Sequence, residues 1–286
     1  MRIKGNTKVV GLFGYPVNHS LSPLFQNAAF AELGLNFAYF PFLVRPKDLS
    51  RAVEAIRTLN LVGVNVTVPH KEKIVNYLDE TSPEVKKIGA VNTVVNQKGR
   101  LIGYNTDGEG FINSLKEKRF NPRGKRVLLL GAGGAAVSIG FSLLREKAKK
   151  VVLINRTYPR AINLSNRLKR IFPNSFLGVI EFEDRNSFPG REDIDLLINA
   201  TPVGMRSGDS LLINIKGFSS KVFVYDIVYN QPTKLLKEAK KRNLSHLNGL
   251  EMLISQGALS FELWTGRKAP IDKMRKALKK AVKREE

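Results

Sequence analysis

Residues 127 to 136 read Val127-Leu128-Leu129-Leu130-Gly131-Ala132-Gly133-Gly134-Ala135-Ala136, four apolar residues that run directly into a glycine-rich segment. The apolar residues predict a short buried strand. The glycines permit a tight turn, and the residues that follow favour a helix. Strand, glycine-rich turn and helix in this order are the context of a dinucleotide-binding fingerprint, with Gly131, Gly133 and Ala136 at its three glycine positions. An ordinary strand-to-helix turn is the alternative.

The type of dinucleotide is indicated by the end of the next predicted strand, Val151 to Ile154. A phosphate at the glycine-rich turn would meet unpaired N–H groups and the positive end of a helix dipole. In the NAD pattern an acidic residue then follows the second strand, but here Asn155, Arg156 and Thr157 stand there and Arg160 lies one helical turn beyond. Cationic groups at this place suit a ribose 2′-phosphate, which favours NADP over NAD. A helix start with solvated arginines would have the same pattern.

Composition limits the function classes. The 286 residues suffice for two domains, and the chain has no cysteine, which excludes disulfides, thiol nucleophiles and thiolate metal sites. The three histidines, His19, His70 and His246, have no metal-ligand spacing, so we expect no metal. We expect a cytoplasmic protein without a signal peptide or membrane span, because no long apolar segment is present.

The formal net charge is +22, which raises the question of a nucleic-acid or membrane partner. The basic residues are spread along the chain, and they are densest from Lys273 to Arg284. There Ile271, Met274, Leu278 and Val282 recur at helical spacing. This pattern predicts an amphipathic helix with a solvated basic face rather than a nucleic-acid or membrane site.

The first third of the chain alternates between strands and helices. Predicted strands at Val9–Gly14, Phe37–Val44 and Gly63–Val68 are separated by helical segments, which indicates an α/β layer with a mainly parallel sheet. The segments Val91–Val95 and Arg100–Asn105 predict a hairpin. A helix is predicted from about Gly110, and the first crossing between domains near Asp107.

Four polar positions stand out along the chain. Asn65 and Thr67 are two residues apart on a strand, so they face the same side. Such a pair suits a ligand with hydroxyl groups, although ordinary polarity at a sheet edge would look the same. Lys71 is predicted to start the next helix, where a cation opposes the helix dipole, so local stability does not explain it. Thr201 follows a later strand, in the kind of loop where cofactors bind in open α/β sheets.

Several segments, taken in their order, resemble shikimate dehydrogenases over nearly the whole chain. The segments that carry the resemblance are Ser20-Leu21-Ser22-Pro23, Asn65-Val66-Thr67-Val68-Pro69-His70-Lys71, Ala90-Val91-Asn92-Thr93, Gly103-Tyr104-Asn105-Thr106-Asp107-Gly108, the glycine-rich turn, Asn155-Arg156-Thr157, Asn199-Ala200-Thr201-Pro202 and Asn248-Gly249-Leu250 through Gln256-Gly257. The family reduces 3-dehydroshikimate to shikimate with NADPH. The resemblance implies a discontinuous α/β substrate domain, residues 1–107 plus 247–286, and a Rossmann-type NADP domain, residues 108–246.

The resemblance also implies roles for individual residues. Lys71 and Asp107 would be the catalytic pair. The substrate would be held by Ser20, Ser22, Asn65, Thr67, Lys71, Asn92, Asp107, Gln256 and, from the cofactor domain, Tyr229. With the residues already singled out, the predicted NADP contacts are Gly131, Ala132, Gly133, Gly134, Ala135, Asn155, Arg156, Thr157, Arg160, Thr201, Ile227 and Gly249. The segment after Tyr229 departs from the family pattern, which often has a proline and a threonine in a slightly longer loop.

Three other functions stay open at this point. A quinate/shikimate dehydrogenase would use both NAD and NADP. A nucleotide-sensing regulator would keep the fold without turnover, against which the presence of Lys71 and Asp107 argues. A nucleic-acid binder is suggested only by the net charge. The sequence therefore predicts an enzyme with a small-molecule substrate and no membrane or nucleic-acid partner, as a monomer or homodimer.

Overall fold

Within the described residues, 3–188 and 193–285 with side chains to residue 280, the computed structural model forms two six-stranded sheets. The sheets belong to two compact units, Met1–Gly110 with Leu253–Glu286, and Phe111–Met252. The sequence analysis predicted that the chain passes from one domain to the other after Asp107 and returns after His246. None of the described helices is long and apolar enough to cross a membrane.

The first unit is an α/β layer. Its elements are β1 (Lys8–Gly14), α1 (Ser22–Glu32), β2 (Phe37–Leu43), α2 (Leu49–Thr58), β3 (Gly63–Val66), β4 (Glu80–Thr81), α3 (Pro83–Ile88), β5 (Thr93–Gln97), β6 (Arg100–Tyr104), the start of α4 (Asp107–Glu117), most of α8 (Leu250–Thr265) and α9 (Ile271–Glu285). The strand order is β2-β1-β3-β5-β6-β4, and β5 alone runs antiparallel to both neighbours. Apolar side chains of β1, β3, β5 and α2 form its core.

The β5–β6 hairpin confirms the predicted one, with β5 displaced by two residues. Its loop is Lys98-Gly99, and both residues have positive φ, 54° and 91°. Two positive φ values define the tight turn that matches the twist of paired strands. The reversal brings the start of β5 and the end of β6 to one edge of the sheet.

The second unit contains a fully parallel sheet, with α-helices in three of the connections between its strands. Its elements are β7 (Arg126–Leu130), α5 (Gly134–Arg145), β8 (Lys150–Ile154), α6 (Tyr158–Ile171), β9 (Phe176–Ile180), β10 (Leu196–Asn199), β11 (Phe223–Asp226), α7 (Lys234–Lys241) and β12 (His246–Leu247). The order β12-β11-β10-β7-β8-β9 reverses direction between β7 and β10. Such a reversal opens a crevice at the carboxyl ends of the strands, where doubly wound sheets bind ligands.

Three local predictions are wrong. Lys71 does not begin a helix; it lies in a turn before a 3₁₀ helix, Lys73–Tyr77, so the argument from the helix dipole does not apply to it. Helix α4 begins at Asp107 rather than near Gly110, because an acidic residue is favourable in a first turn. The β3 strand ends at Val66, so Thr67 lies just beyond it. The predicted C-terminal helix is confirmed as α9, although the side chains of Val282 and Arg284 lie outside the described residues.

Candidate active site

Four polar segments of the first unit leave the sheet at the same edge. Strands β1 and β3 are parallel, and their carboxyl ends lead to the loops of Ser20 and Thr67. Because β5 runs the opposite way, Thr93 at its start pairs with Asn65 on one side and with Tyr104 on the other. This arrangement brings Asn92 and Asp107 to the edge at which β3 ends.

Lys71 and Asp107 form an ion pair at this edge. The Nζ of Lys71 lies 2.5 Å from Oδ2 of Asp107, and the two side chains are only 14% and 6% exposed. Asp107 is the first residue of α4, where the helix dipole favours its negative charge. The backbone of Lys71 is fixed as well, because its carbonyl accepts a hydrogen bond of 2.8 Å from the N–H of Val91. The pair is therefore a preorganised ammonium–carboxylate site in which the ammonium keeps further protons to donate.

Asn92 connects this pair to helix α8. Its Nδ2 donates to Oδ1 of Asp107 at 2.9 Å and to Oγ1 of Thr106 at 2.8 Å, and it lies 3.3 Å from Oε1 of Gln256. Its Oδ1 accepts from the N–H of Thr106 at 2.8 Å. The structure thus brings together four of the predicted residues, Lys71, Asn92, Asp107 and Gln256, in one hydrogen-bonded group.

Asn65 is buried behind this group. Its Oδ1 accepts from the hydroxyl of Tyr39 at 2.8 Å. Its Nδ2 lies 3.1 Å from the carbonyl of Asn92 and from Oγ of Ser260, and 3.2 Å from Oγ1 of Thr93. These partners occupy the hydrogen-bonding capacity of the amide. In this arrangement Asn65 fixes the strand ends and the residues that surround the ion pair.

Sequence reasoning did not single out Tyr39, Thr106 or Ser260, although all three belong to this network. The hydroxyl of Ser260 lies within 3.2 Å of that of Thr106 and 2.7 Å from that of Thr93. One signal was available, since Ser260 follows Gln256 by four residues and must share its face of α8. Nothing local in the sequence points to Tyr39.

Ser20, Ser22 and Thr67 are not joined to the ion pair by any hydrogen bond found among the described side chains. Oγ of Ser20 accepts from the N–H of Ser22 at 3.3 Å, just before α1. Thr67 is held by its N–H, which donates to the carbonyl of Phe13 at 2.9 Å. Thr67 therefore lies directly after β3, while Ser20 and Ser22 lie in the loop after β1 and at the start of α1.

The glycine-rich turn of the second unit has the geometry that a pyrophosphate requires. Gly131 has φ +115°, and a Cβ there would lie 2.9 Å from the carbonyl oxygen of Ala200, so only glycine fits. Helix α5 begins at Gly134, and Gly133 before it offers no side-chain cap. A Cβ at Gly133 would meet no atom within 4 Å. Gly133 therefore borders open space at the N-terminus of α5, where the first N–H groups of a helix have no intrahelical partner.

Arg156 and Arg160 stand beside the start of α6. Both are exposed, and the first turn of this helix has no acidic residue. Thr157 precedes the helix without a side-chain hydrogen bond to it, and Nδ2 of Asn155 donates to the carbonyl of Thr157 at 2.8 Å. Two cations at a helix N-terminus fit a phosphate dianion.

Thr201, Ile227 and Gly249 lie just beyond the carboxyl ends of β10, β11 and β12 respectively. Thr201 donates twice to Oδ1 of Asn199, from its N–H at 2.9 Å and from its hydroxyl at 2.7 Å. The N–H of Ile227 donates to the carbonyl of Asn199 at 3.0 Å. A Cβ at Gly249 would lie 2.0 Å from the carbonyl oxygen of Ile227, so this close approach requires glycine. Tyr229 is half-buried, and burial raises the pKa of its phenol, which stays protonated and able to donate.

The histidines give no metal site. The part of the chain that the structure describes contains no group of three His, Asp or Glu side chains placed to bind a metal ion. His70 is buried, and its Nε2 lies 2.7 Å from the carbonyl oxygen of Val44. This contact anchors the turn that carries Lys71.

Comparison with known proteins connects both units to one family. Three family models match: a shikimate dehydrogenase substrate-binding domain at residues 12–94, a shikimate/quinate 5-dehydrogenase at residues 114–184 and a shikimate 5′-dehydrogenase C-terminal domain at residues 249–279. A shikimate dehydrogenase (NADP(+)) of Desulforamulus reducens is 44% identical over 287 residues, with 98% of each chain covered. The chain belongs to the shikimate dehydrogenase family.

Solved structures of shikimate dehydrogenases agree with this assignment. One in complex with NADP⁺ superimposes with a TM-score of 0.91 at 38% identity, and the match covers 98% of both chains. Another, from Thermus thermophilus in complex with NADP(H) and shikimate, gives a TM-score of 0.84 at 35% identity and covers 96% of this chain and 99% of the other. The match to this α/β family and the NADP-dependence of the relatives confirm the predicted fold class and cofactor.

Proposed function

We propose that this chain catalyses the reversible, NADP-dependent reduction of 3-dehydroshikimate to shikimate, an oxidoreductase reaction of aromatic amino-acid biosynthesis. The observation that carries the proposal is the largely buried Lys71–Asp107 pair with Asn92 and Gln256 around it. The names of the relatives support the substrate and the cofactor. A sensing regulator without turnover would not need a preorganised ammonium–carboxylate pair.

The proposed mechanism divides the reaction between cofactor and protein. Reduction of a carbonyl group needs a hydride, which NADPH supplies, and a proton for the oxygen. The ammonium of Lys71 donates that proton, and its positive charge stabilises the alkoxide as it develops. Asp107 holds the ammonium in place. In the reverse direction Lys71 accepts the proton of the substrate hydroxyl, and because the overall oxidation releases one proton, it is favoured at higher pH.

We propose the remaining substrate contacts from the family resemblance and from the position of each residue. Ser20 and Ser22 follow β1, Thr67 follows the parallel strand β3, and their hydroxyls suit a carboxylate and ring hydroxyls. Gln256 is connected to the pair through Asn92. The amide of Asn65 is engaged by Tyr39 and Ser260, so we propose that it acts by holding Asn92 and its neighbours. For Tyr229, we propose a substrate contact from the family resemblance alone.

The substrate assignment is tested with purified protein in four assays, shikimate or quinate with NADP⁺ or NAD⁺. The expected result is reduction of NADP⁺ by shikimate with a kcat/KM at least about 10-fold above every other combination. Comparable rates with quinate would instead establish the second candidate, a quinate/shikimate dehydrogenase, an activity that the family matched at residues 114–184 includes. No reduction in any assay would contradict both.

The cofactor assignment is tested at Arg156. Because an exposed arginine beside α6 would pair with the 2′-phosphate, Arg156→Ala is expected to raise the KM for NADPH about 10-fold or more and to leave that for NADH within about twofold. Arg170→Ala is the matched control, since Arg170 is exposed at the other end of the same helix. Equal losses for both cofactors would argue against a 2′-phosphate site.

The proposed partners are small molecules only, and the proposed location is the cytoplasm. The lack of cysteine fits a reducing compartment. A monomer or homodimer without a nucleic-acid partner is expected. Size-exclusion chromatography with light scattering determines the oligomeric state, and a gel shift at about 0.15 M salt tests the charge-based alternative.

A further inference from the structure

Asp226 is a fully buried carboxylate at the carboxyl end of β11 that the proposed chemistry does not use. It is 0% exposed, and no cationic side chain pairs with it among the described residues. Its Oδ1 accepts from Nδ2 of Asn199 at 2.9 Å and from the N–H of Val228 at 3.0 Å. Its Oδ2 accepts from the hydroxyl of Thr233 at 2.7 Å. All three donors come from loops or strand ends at the edge where ligands bind in such sheets.

Asn199 extends these contacts into the loop after β10. Its Nδ2 also donates to the carbonyl of Val203 at 3.0 Å, and its Oδ1 accepts from the backbone and hydroxyl of Thr201. The carboxylate of Asp226 and the carbonyl of Val203 together fix the orientation of this amide, because neither can donate a hydrogen bond. Asp226 therefore helps to position Thr201 through a single buried side chain.

The segment after β11 is fastened to the same loop. Gln231 donates to the carbonyl of Gly204 at 2.7 Å, and Asn230 donates to that of Met205 at 2.9 Å. Gly204 has φ +103°, and a Cβ there would lie 2.7 Å from Cγ2 of Thr233. The two loops thus form one assembly, which we call the β10–β11 loop pair (residues 200–206 and 227–233), with Asp226 buried beneath it.

The topology indicates which half of a dinucleotide the β10–β11 loop pair faces. The glycine-rich turn follows β7, which lies between β8 and β10. A pyrophosphate at that turn places its two nucleosides on opposite sides of β7. Arg156 follows β8, so the 2′-phosphorylated adenosine lies on the β8 side. The nicotinamide half then lies over β10 and β11.

We propose that Asp226 is a positioning residue that holds the β10–β11 loop pair in the arrangement that binds the nicotinamide half of NADP. The inference rests on the proposed function, since it assumes that NADP binds at this sheet edge. It assigns Asp226 no contact with the cofactor; the residue acts through Asn199, Val228 and Thr233.

A buried carboxylate without a neighbouring cation lowers the stability of the folded chain. Burial raises the pKa of Asp226 to about 6, although hydrogen bonds from Thr233, Val228 and Asn199 favour the charged form. Groups that stay buried and destabilised in this way are concentrated at functional sites. An apolar residue would fill the space with less desolvation, but it would leave the three donors without an acceptor.

The test compares the affinity of the full chain for NADP⁺ with its affinity for adenosine 2′,5′-bisphosphate, by calorimetric titration. Asp226→Ala is expected to raise the Kd for NADP⁺ about 10-fold or more and to change that for the bisphosphate by less than about twofold. Asp226→Asn keeps an acceptor for Asn199 and Val228 and can donate to Thr233, so it is expected to stay within about threefold of the wild type for both ligands.

Two further variants separate an effect on the loop pair from a general loss of stability or a failure to fold. Leu244→Ala creates a cavity in the core of the same unit at a residue outside the loop pair, so it loses stability but is expected to bind both ligands as the wild type does. If Asp226→Ala does not fold, Thr233→Val removes one donor to Asp226 and is expected to weaken NADP⁺ alone, by about threefold.

Three outcomes would overturn the inference. In the first, Asp226→Ala, or Thr233→Val in its place, binds NADP⁺ as the wild type does. In the second, the variant loses as much affinity for the bisphosphate as for NADP⁺. Leu244→Ala could also weaken NADP⁺ as much as Asp226→Ala, which would reduce the effect to general destabilisation. A wild-type chain that binds neither ligand overturns the proposed function and this inference together, whereas the other outcomes leave the proposed function standing.

Discussion

Asp107 has two oxygens with different partners, and this division determines what its substitution does. Oδ2 pairs with the ammonium of Lys71, and Oδ1 accepts from the amide of Asn92. An asparagine of the same shape can keep one of these contacts but removes the negative charge that holds the ammonium. The consequences for catalysis and for folding can therefore be separated.

The prediction for Asp107→Asn is a fall in kcat of about 10²-fold, with a smaller change in the KM for shikimate, because the proton donor loses its orientation while most substrate contacts remain. Steady-state rates of NADP⁺ reduction measure both constants. Asp79→Asn serves as the control, since Asp79 is ion-paired with Arg57 on the surface of the same unit. A variant at residue 107 with wild-type kcat would contradict the assigned role.

A second residue-scale prediction concerns the pH dependence of stability at Asp226. The pKa of this carboxyl is raised from 3.8 to about 6 by burial, so the folded chain holds the proton more tightly than the unfolded chain. The free energy of unfolding therefore falls as the pH rises from about 4 to 6. Above that range it is lower by up to about 3 kcal/mol than at pH 4. Asp226→Asn has no carboxyl group at this position, so its free energy of unfolding does not include this fall with pH.

Urea unfolding of both proteins between about pH 4 and pH 8 measures the effect. The free energy of unfolding of Asp226→Asn, relative to that of the wild type, is expected to increase with pH over this interval. A difference that stays constant from pH 4 to 8 would show that the carboxyl is not destabilised by its burial.

At the scale of elements, the packing of α8 against the sheet depends on a glycine. Trp264 of α8 donates from Nε1 to the carbonyl of Val94 at 3.0 Å, directly over Gly63. A Cβ at residue 63 would lie 2.2 Å from that carbonyl oxygen and 2.6 Å from the Trp264 nitrogen. Any side chain there must displace the helix or the neighbouring strand.

Gly63→Ala is therefore expected to lower the free energy of unfolding by about 1–3 kcal/mol and to raise the KM for shikimate, because α8 also carries Gln256 and Ser260. Denaturant unfolding and steady-state kinetics on one preparation measure the two effects. Gly5→Ala is the matched control, since nothing lies within 4 Å of a Cβ at that glycine. Unchanged stability at residue 63 would mean that the helix does not pack as described.

Local sequence signals predicted the helices and strands better than the way in which the strands pair. The hairpin, the glycine-rich turn and the strand-to-helix alternation are short-range patterns, and the structure confirms them. The antiparallel position of β5 beside β3 depends on segments that are distant in the sequence, which no local periodicity records. The same reason explains Ser260, whose hydrogen bond to Asn65 joins residues 195 positions apart.

Some site residues could be predicted only through family resemblance. Lys71 and Asp107 are 36 residues apart, and neither spacing nor composition brings them together. The predicted helix start at Lys71 was wrong because a turn and a 3₁₀ helix follow Pro69 instead. Asp226 was overlooked because a carboxylate at the end of an apolar strand has no distinctive pattern; its role depends on loops that fold over it.

At the scale of the whole molecule, each unit holds a different part of the proposed chemistry. The first unit has the ammonium–carboxylate pair and its polar network, and the second has a turn and two arginines suited to phosphates. The net charge of +22 is not explained by the charged residues of either site, but it attracts anionic cofactors and substrates in general.

The most direct test of the account is the rate at which Lys71→Ala reduces NADP⁺ with shikimate, compared with the wild type and with Lys73→Ala, which changes an exposed lysine two residues away. The account predicts a fall in kcat of about 10²- to 10³-fold for Lys71→Ala, with a KM for shikimate within about fivefold, and wild-type constants for Lys73→Ala. A Lys71→Ala enzyme with a kcat near that of the wild type would contradict it.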